Sequence, residues 1–275
     1  MNFIDRGRPI GVFDSGIGGL TVVKRLASTL PNENIVYFGD TARVPYGSKS
    51  NSTVIEYSLQ DAAFLITKNV KAIVVACNTA SSIAINSLRQ KYDIPIIGMI
   101  GPGTEFALKS TKNKKIGIIG TRATIDNKAY SKALKKKNKK LKVFEKACPL
   151  FVPLAEEGWI EHKATYEIAK EYLTSLKKKD IDILILGCTH YPILAGVIQK
   201  VIGEKVKLID SGIAAAELVR SEIKRIGLLN HSSNLGSIDF FVTDIPKKFK
   251  EIAELFLSAP IKKVRKVELE DILNH

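Results

Sequence analysis

One α/β unit is written twice in this chain, and that duplication constrains the fold more than any other feature of its 275 residues. Short runs rich in Val and Ile alternate with longer stretches of helical periodicity, the pattern of a parallel sheet covered on both faces. Ile10 to Phe13, Ile35 to Phe38, Ala72 to Ala76 and Ile96 to Ile100 read as strands. Lys115 to Ile119, Lys142 to Lys146, Ile183 to Leu186 and Val206 to Ile209 repeat the order, with helices predicted near 52–68, 79–91, 126–137, 164–177 and 192–202. The repeat can be followed residue by residue. Cys77 closes the run AIVVA and opens CNTASSIAI; Cys188 closes ILILG and opens CTHYPILAGVI, an offset of 111 residues. GVFDS at Gly11 to Ser15 likewise parallels GIIGT at Gly117 to Thr121, an offset of 106. Units this long are not those of a solenoid, whose repeats run to roughly 20–50 residues. The expected fold class is α/β, with two pseudo-symmetric doubly wound parallel-sheet domains and the active site in the cleft between them.

The GPG segment at Gly101 to Gly103 reads as the crossing between halves. Beyond Asp210 the pattern predicts a helix (Ile213 to Arg225), a strand (Ile238 to Thr243), a helix (Lys247 to Leu255) and a strand (Lys262 to Leu269). This tail is expected to return to the first half, so that residues 1–101 with 212–275 form one domain and 102–211 the other.

Composition narrows the function. At 45% hydrophobic residues the chain can bury a full core, and no window approaches the run of about 18 apolar residues that a membrane span needs. The opening MNFIDRGRPI has no secretory apolar region, which places the protein in the cytoplasm. Three cysteines do not make a disulfide framework, and without a CxxC pair the four histidines (162, 190, 231 and 275) lack zinc-site spacing, so no metal is expected. The net charge of +14 raises nucleic acid as a partner. The lysines, however, crowd into KALKKKNKKLK (Lys132 to Lys142), Lys177 to Lys179 and KKVRK (Lys262 to Lys266) with few aromatics to stack on bases, and read as solvated faces.

The residues that carry chemistry fall at predicted strand ends, where open α/β sheets bind ligands. In the first half these are Asp14, Ser15, Asp40, Cys77, Asn78 and Thr79; in the second they are Thr121, Cys188, Thr189 and His190. A single buried cysteine is most often a small hydrophobe. Two at equivalent places in a duplicated unit, each opening a helix whose dipole favours the thiolate, point to a pair of acid/base groups. Cys148, in KACPLF, lacks this context and reads as structural. The chemistry that needs two equivalent groups on opposite faces of one small molecule is racemisation: one thiolate removes an α-proton while a thiol on the other face supplies one. The carbanion between them needs hydrogen-bond donors, which Ser15, Asn78, Thr79 and Thr189 provide.

At these residues the chain resembles the glutamate racemases, the enzymes that supply D-glutamate for bacterial peptidoglycan. The resemblance is carried by FDSGIGGLTV (Phe13 to Val22), FGDTARVPYGSKS (Phe38 to Ser50), ACNTASS (Ala76 to Ser82), GTRAT (Gly120 to Thr124), CPLFVPLAEEGW (Cys148 to Trp159), LGCTHYPIL (Leu186 to Leu194) and IDSG (Ile209 to Gly212). It implies that Cys77 removes the proton from D-glutamate and Cys188 from L-glutamate, with Asp14, His190 and Glu156 assisting. It implies substrate contacts from Asp14, Ser15, Asn78, Thr79, Thr121, Thr189 and His190, and from the run Pro45, Tyr46, Gly47 and Ser48. It also implies that the enzyme needs no cofactor and is commonly a homodimer.

Other readings of the same residues stand beside this one. Asp14 and Asp40 suit helix caps as well as catalysis, and Glu156 with Glu157 reads as a helix start. GIGGLTV lacks the GK[ST] of a phosphate loop, so its glycines are read as admitting the backbone close to a ligand. Two rival functions are a racemase for aspartate or a related acid, and a basic binding protein for nucleic acid or a nucleic-acid enzyme built on this scaffold.

Overall fold

The computed structural model describes residues 5–245, 249–261 and 263–268. In the first half, β1 (Ile10–Asp14), β2 (Ile35–Gly39), β3 (Ala72–Val75) and β4 (Ile96–Gly98) lie in the order β4-β3-β1-β2. In the second, β5 (Lys115–Gly120), β6 (Lys142–Ala147), β7 (Ile183–Gly187) and β8 (Lys207–Asp210) lie in the order β8-β7-β5-β6. The two orders are the same, and all pairings are parallel. Burial explains the strand sequences: β1, β2, β3 and β7 are buried along their whole length, as the near-continuous apolar runs of a covered parallel sheet require.

The chain tail joins the first sheet. β9 (Ile238–Val242) pairs with β2, and β10 (Val264–Lys266) pairs with β9. Between β8 and β9 runs a helix at Ser211–Arg225, and between β9 and β10 one at Phe249–Leu257. Residues 247, 248, 262 and 269, where the predicted final helix and strand begin or end, lie outside the described residues. No helix among the described residues is long and apolar enough to cross a membrane.

Two prolines set helix positions that the sequence pattern misses. The predicted strand at 96–100 stops at Gly98, and GPG is not a loop between halves but part of a helix, Ile100–Ser110. Pro102 occupies its third position, where the missing amide is one of those that have no helical partner anyway. A second short helix, Phe151–Glu156, carries Pro153 in the same place and ends at Glu156, with Gly158 turning left-handed at φ 70°. Glu156 and Glu157 therefore stand at a helix end, not a start. A further helix at Leu20–Thr29 follows the GIGG glycines that hide its onset.

Three predicted helices are divided. The segment 79–91 forms Asn78–Ile83 and Ile85–Lys91, with Ala84 shared between the caps. Two serines bond backbone carbonyls here: Ser81 that of Val75 in β3 at 2.8 Å, and Ser82 that of Thr79 within the helix at 2.8 Å. The segment 126–137 separates into Arg122–Asp126 and Ala129–Lys137 at Lys128, whose φ is 53°. The segment 192–202 opens as a tight 3₁₀ turn over Tyr191–Leu194, which contains Pro192, before the helix Ala195–Ile202.

Candidate active site

The matched strand orders bring the ends of β3 and β7 to the same cavity. Cys77 follows β3 and caps the helix Asn78–Ile83: the Ala80 amide donates to its Sγ at 3.5 Å, and Sγ lies 3.6 Å from the Ser15 hydroxyl. Cys188 follows β7, its Sγ 3.8 Å from His190 Nδ1. His190 Nε2 in turn lies 2.8 Å from Glu156 Oε1. Both sulfurs, 5% and 6% exposed, line one cavity of about 200 Å³. That is smaller than the roughly 300–1,000 Å³ of pockets for drug-sized ligands and suits a small metabolite. Cys148 is fully buried away from it.

Six polar residues share the cavity wall with the thiols: Ser15, Asn78, Thr79, Thr121, Thr189 and His190. Thr79 and Thr121, one from each half, are joined hydroxyl to hydroxyl at 2.9 Å, and Thr124 lies 3.0 Å from Thr121. Pro45, Tyr46, Gly47 and Ser48 line it from a single segment after β2, entered through a cis Val44–Pro45 bond. That segment is fixed from below. Tyr46 hydrogen-bonds Asp40 and, at 2.9 Å, Asp61, while Arg43 pairs with both carboxylates at 2.7 and 3.1 Å. Burial, then the neighbouring Asp40, pushes the Asp61 carboxyl well above the ordinary carboxylate range. Asp40 is thus a member of a buried network and not a helix cap.

Of the residues singled out from sequence, Asp14, Asp40 and Glu156 do not reach the cavity wall. Asp14 is fully buried behind it; one carboxylate oxygen accepts from the amides of Gly16 (3.2 Å) and Gly19 (2.9 Å), and the other has no hydrogen-bond partner among the described residues. The carboxylate is thus held by amides just ahead of the helix Leu20–Thr29, whose N-cap is Gly19, and its charge is felt by the Cys77 thiol. The GIGG glycines are not at the wall either; they make room for side chains, not for a ligand. A Cβ on Gly19 would come within 2.5 Å of Asp14, and one on Gly18 within 2.4 Å of Thr189. Sequence reasoning missed the apolar wall of Val44, Pro149, Val152 and Pro153, and exposed Arg122 beside it, although most of these lie within segments it marked.

The two thiols sit in different electrostatic settings. Burial, reinforced by the charge of Asp14, pushes the Cys77 thiol up to about 12. The helix N-terminus expected to favour a thiolate does not offset this; desolvation of the charged form outweighs one amide at 3.5 Å. At the other end burial disfavours charge on His190, but its bonds to Cys188 and Glu156 and their charges prevail, raising the ring to about 10. Burial likewise raises the Asp14 carboxyl, opposed by His190 and by the amides it accepts from. A cationic ring therefore stands beside Cys188 at neutral pH. In the unfolded chain the ring titrates near 6.5, so its raised folded value stabilises the fold fully below about pH 6.5, and that contribution is lost as pH rises through about 10. An NMR titration of the His190 ring is expected to give a midpoint near 10, falling in Glu156→Gln. A midpoint near 6.5 in the unaltered protein would contradict the pairing.

The model of the Asp/Glu/hydantoin racemase family matches residues 10–219. A curated glutamate racemase of Geobacter metallireducens is 47% identical over 263 residues, covering 96% of this chain and 97% of that one. The crystal structure of the Francisella tularensis glutamate racemase in complex with D-glutamate superposes with a TM-score of 0.91 at 44% identity, covering 97% and 99%. That of the RacE1 isoform from Bacillus anthracis does so at 0.92 and 40%, covering 96% and 98%. Fold and site together define an isomerase, an amino-acid racemase. The chain belongs to the Asp/Glu/hydantoin racemase family.

Proposed function

We propose that the chain interconverts L- and D-glutamate without a cofactor, by proton transfer between Cys77 and Cys188 on opposite faces of the α-carbon. The observation that carries this is the opening of both sulfurs, at equivalent strand ends of the two sheets, onto one small cavity. In the L-to-D direction the Cys188 thiolate takes the α-proton, and Cys77, a thiol at neutral pH, gives its proton to the opposite face. The first step breaks one Cα–H bond and the second forms another, leaving the thiolate on Cys77; the reverse direction exchanges the roles. His190, held by Glu156, compensates negative charge on Cys188, and Asp14 stands behind Cys77. Ser15, Asn78, Thr79, Thr121 and Thr189 supply donors for the carboxylates and the developing carbanion, with the Pro45–Ser48 segment closing over them.

Glutamate is the substrate favoured, because relatives at 47–48% identity over nearly the whole chain are glutamate racemases and one similar structure holds D-glutamate. On this reading the protein works in the cytoplasm, supplies D-glutamate for peptidoglycan and acts as a homodimer. The division into residues 1–101 with 212–275 and 102–211 gives each domain one of the two acid/base thiols. Aspartate is the alternative, since one methylene changes pocket binding by only about 1–3 kcal/mol.

The test is solvent deuterium incorporation at Cα, followed for each enantiomer of glutamate and of aspartate with no cofactor added. Exchange and racemisation of both glutamate enantiomers is expected. Equal or faster turnover of aspartate would reassign the substrate, and no exchange with either acid would overturn the proposal.

A further inference from the structure

Asn78 presents the cavity with a side chain that is oriented from the other half of the molecule. The residue is 2% exposed and its amide nitrogen has no partner among the described residues, an arrangement that leaves a donor free for a ligand. Its amide oxygen is occupied: the Tyr130 hydroxyl donates to it at 2.7 Å. Tyr130 belongs to the helix Ala129–Lys137 of the second half, is 1% exposed, and does not line the cavity. An Asn amide rotated by half a turn would aim an acceptor oxygen at the ligand instead, an orientation that repels a substrate carboxylate. A phenol proton fixed on the oxygen selects between the two orientations.

The phenol is itself held in place. Its hydroxyl lies 3.5 Å from the Met99 carbonyl. The ring passes between two glycines: a Cβ on Gly103 would stand 3.1 Å from one ring carbon, and a Cβ on Gly187 3.3 Å from the carbon on the opposite edge. Gly103 is the second glycine of the GPG segment, and Gly187 immediately precedes Cys188. Both therefore have a use that the sequence did not show. Burial pushes the phenol above its ordinary value, so it keeps its proton across the working range.

We infer that Tyr130 is a positioning residue for substrate binding, which locks the Asn78 amide with its N–H₂ directed into the cavity. This rests on the proposed reading of Asn78 as a substrate contact. Because Asn78 and Tyr130 come from different halves, the lock is complete only when the halves are docked as they are here.

Tyr130→Phe keeps the ring and removes the proton donor. For both glutamate enantiomers KM is expected to rise about tenfold, the factor that corresponds to the loss of one hydrogen bond's worth of orientation, with kcat within about threefold of its original value. A purely structural role for the phenol would instead lower the melting temperature and leave KM unchanged. Asn78→Ala is expected to raise KM at least as far, and Asn78→Ala with Tyr130→Phe no further than Asn78→Ala alone, because the phenol then has nothing to orient. An unchanged KM in Tyr130→Phe beside an impaired Asn78→Ala would overturn the lock and leave Asn78 a substrate contact. Multiplying effects in the double variant would overturn it as well. An unchanged KM in Asn78→Ala would remove both the contact and the lock, while the two-thiol reading is judged separately by deuterium exchange.

Discussion

Replacing either Cys77 or Cys188 by serine is expected to lower racemisation by about 10²–10⁴-fold, the span that a positioned acid/base group contributes. Serine is nearly isosteric with cysteine, and both positions already sit among polar partners: Cys77 beside the Ser15 hydroxyl, Cys188 beside His190. Each variant is therefore expected to keep its fold and melting temperature, so that lost activity is chemistry and not unfolding. The hydroxyl fails because it is far less acidic than a thiol and cannot carry the anion that follows proton removal. Since each half supplies one of the two groups, the double variant is expected to be scarcely worse than either single one. Circular dichroism and racemisation measured on the same preparations check this. A single variant that retained more than about a tenth of the original rate would remove that cysteine from the mechanism.

The second large effect is expected at a residue that touches no ligand. Gly18→Ala would bring a methyl group within 2.4 Å of Thr189 Oγ1 and 2.5 Å of the His190 ring, distances that force one of them to move. The loop has little room to yield, because the Thr21 hydroxyl reaches both the Gly18 and the Thr189 carbonyls at 2.9 Å. His190 would be displaced from its place between Cys188 and Glu156, and a misplacement of about 1 Å commonly costs about 10²-fold. The variant is accordingly expected to lose about 10²-fold in kcat/KM, with a lowered His190 titration midpoint as the sign that the cause is displacement of the ring. A Gly18→Ala enzyme with unaltered kcat/KM would show that the two halves do not interlock here.

The position of Gly18 also marks where reading the chain alone reached its end. What the strand pattern governs was legible: the Val- and Ile-rich strands of both sheets, their duplication, and Cys77 and Cys188 at equivalent strand ends. These are properties of periodicity and spacing, which burial in a parallel sheet imposes on the sequence directly. The helices that begin near Pro102 and Pro153 were less legible, because a proline in a first turn looks the same as a proline in a loop until the following residues are seen to coil.

Only the tertiary structure decided which side chains share a wall and which stand behind it. Asp14 and Glu156 belong to the set found by sequence, yet both stand behind the wall, Asp14 held by the amides of Gly16 and Gly19 and Glu156 paired with His190. Tyr130 carried no signal, since its partner Asn78 lies 52 residues away in the other half. The chain by itself determined two copies of one unit and a sulfur at the end of the third strand of each. Tertiary folding decided the rest: the charge on His190 and the raised Cys77 thiol depend on desolvation and on partners that each half gathers from distant segments, and the orientation of Asn78 has no value until the two halves meet.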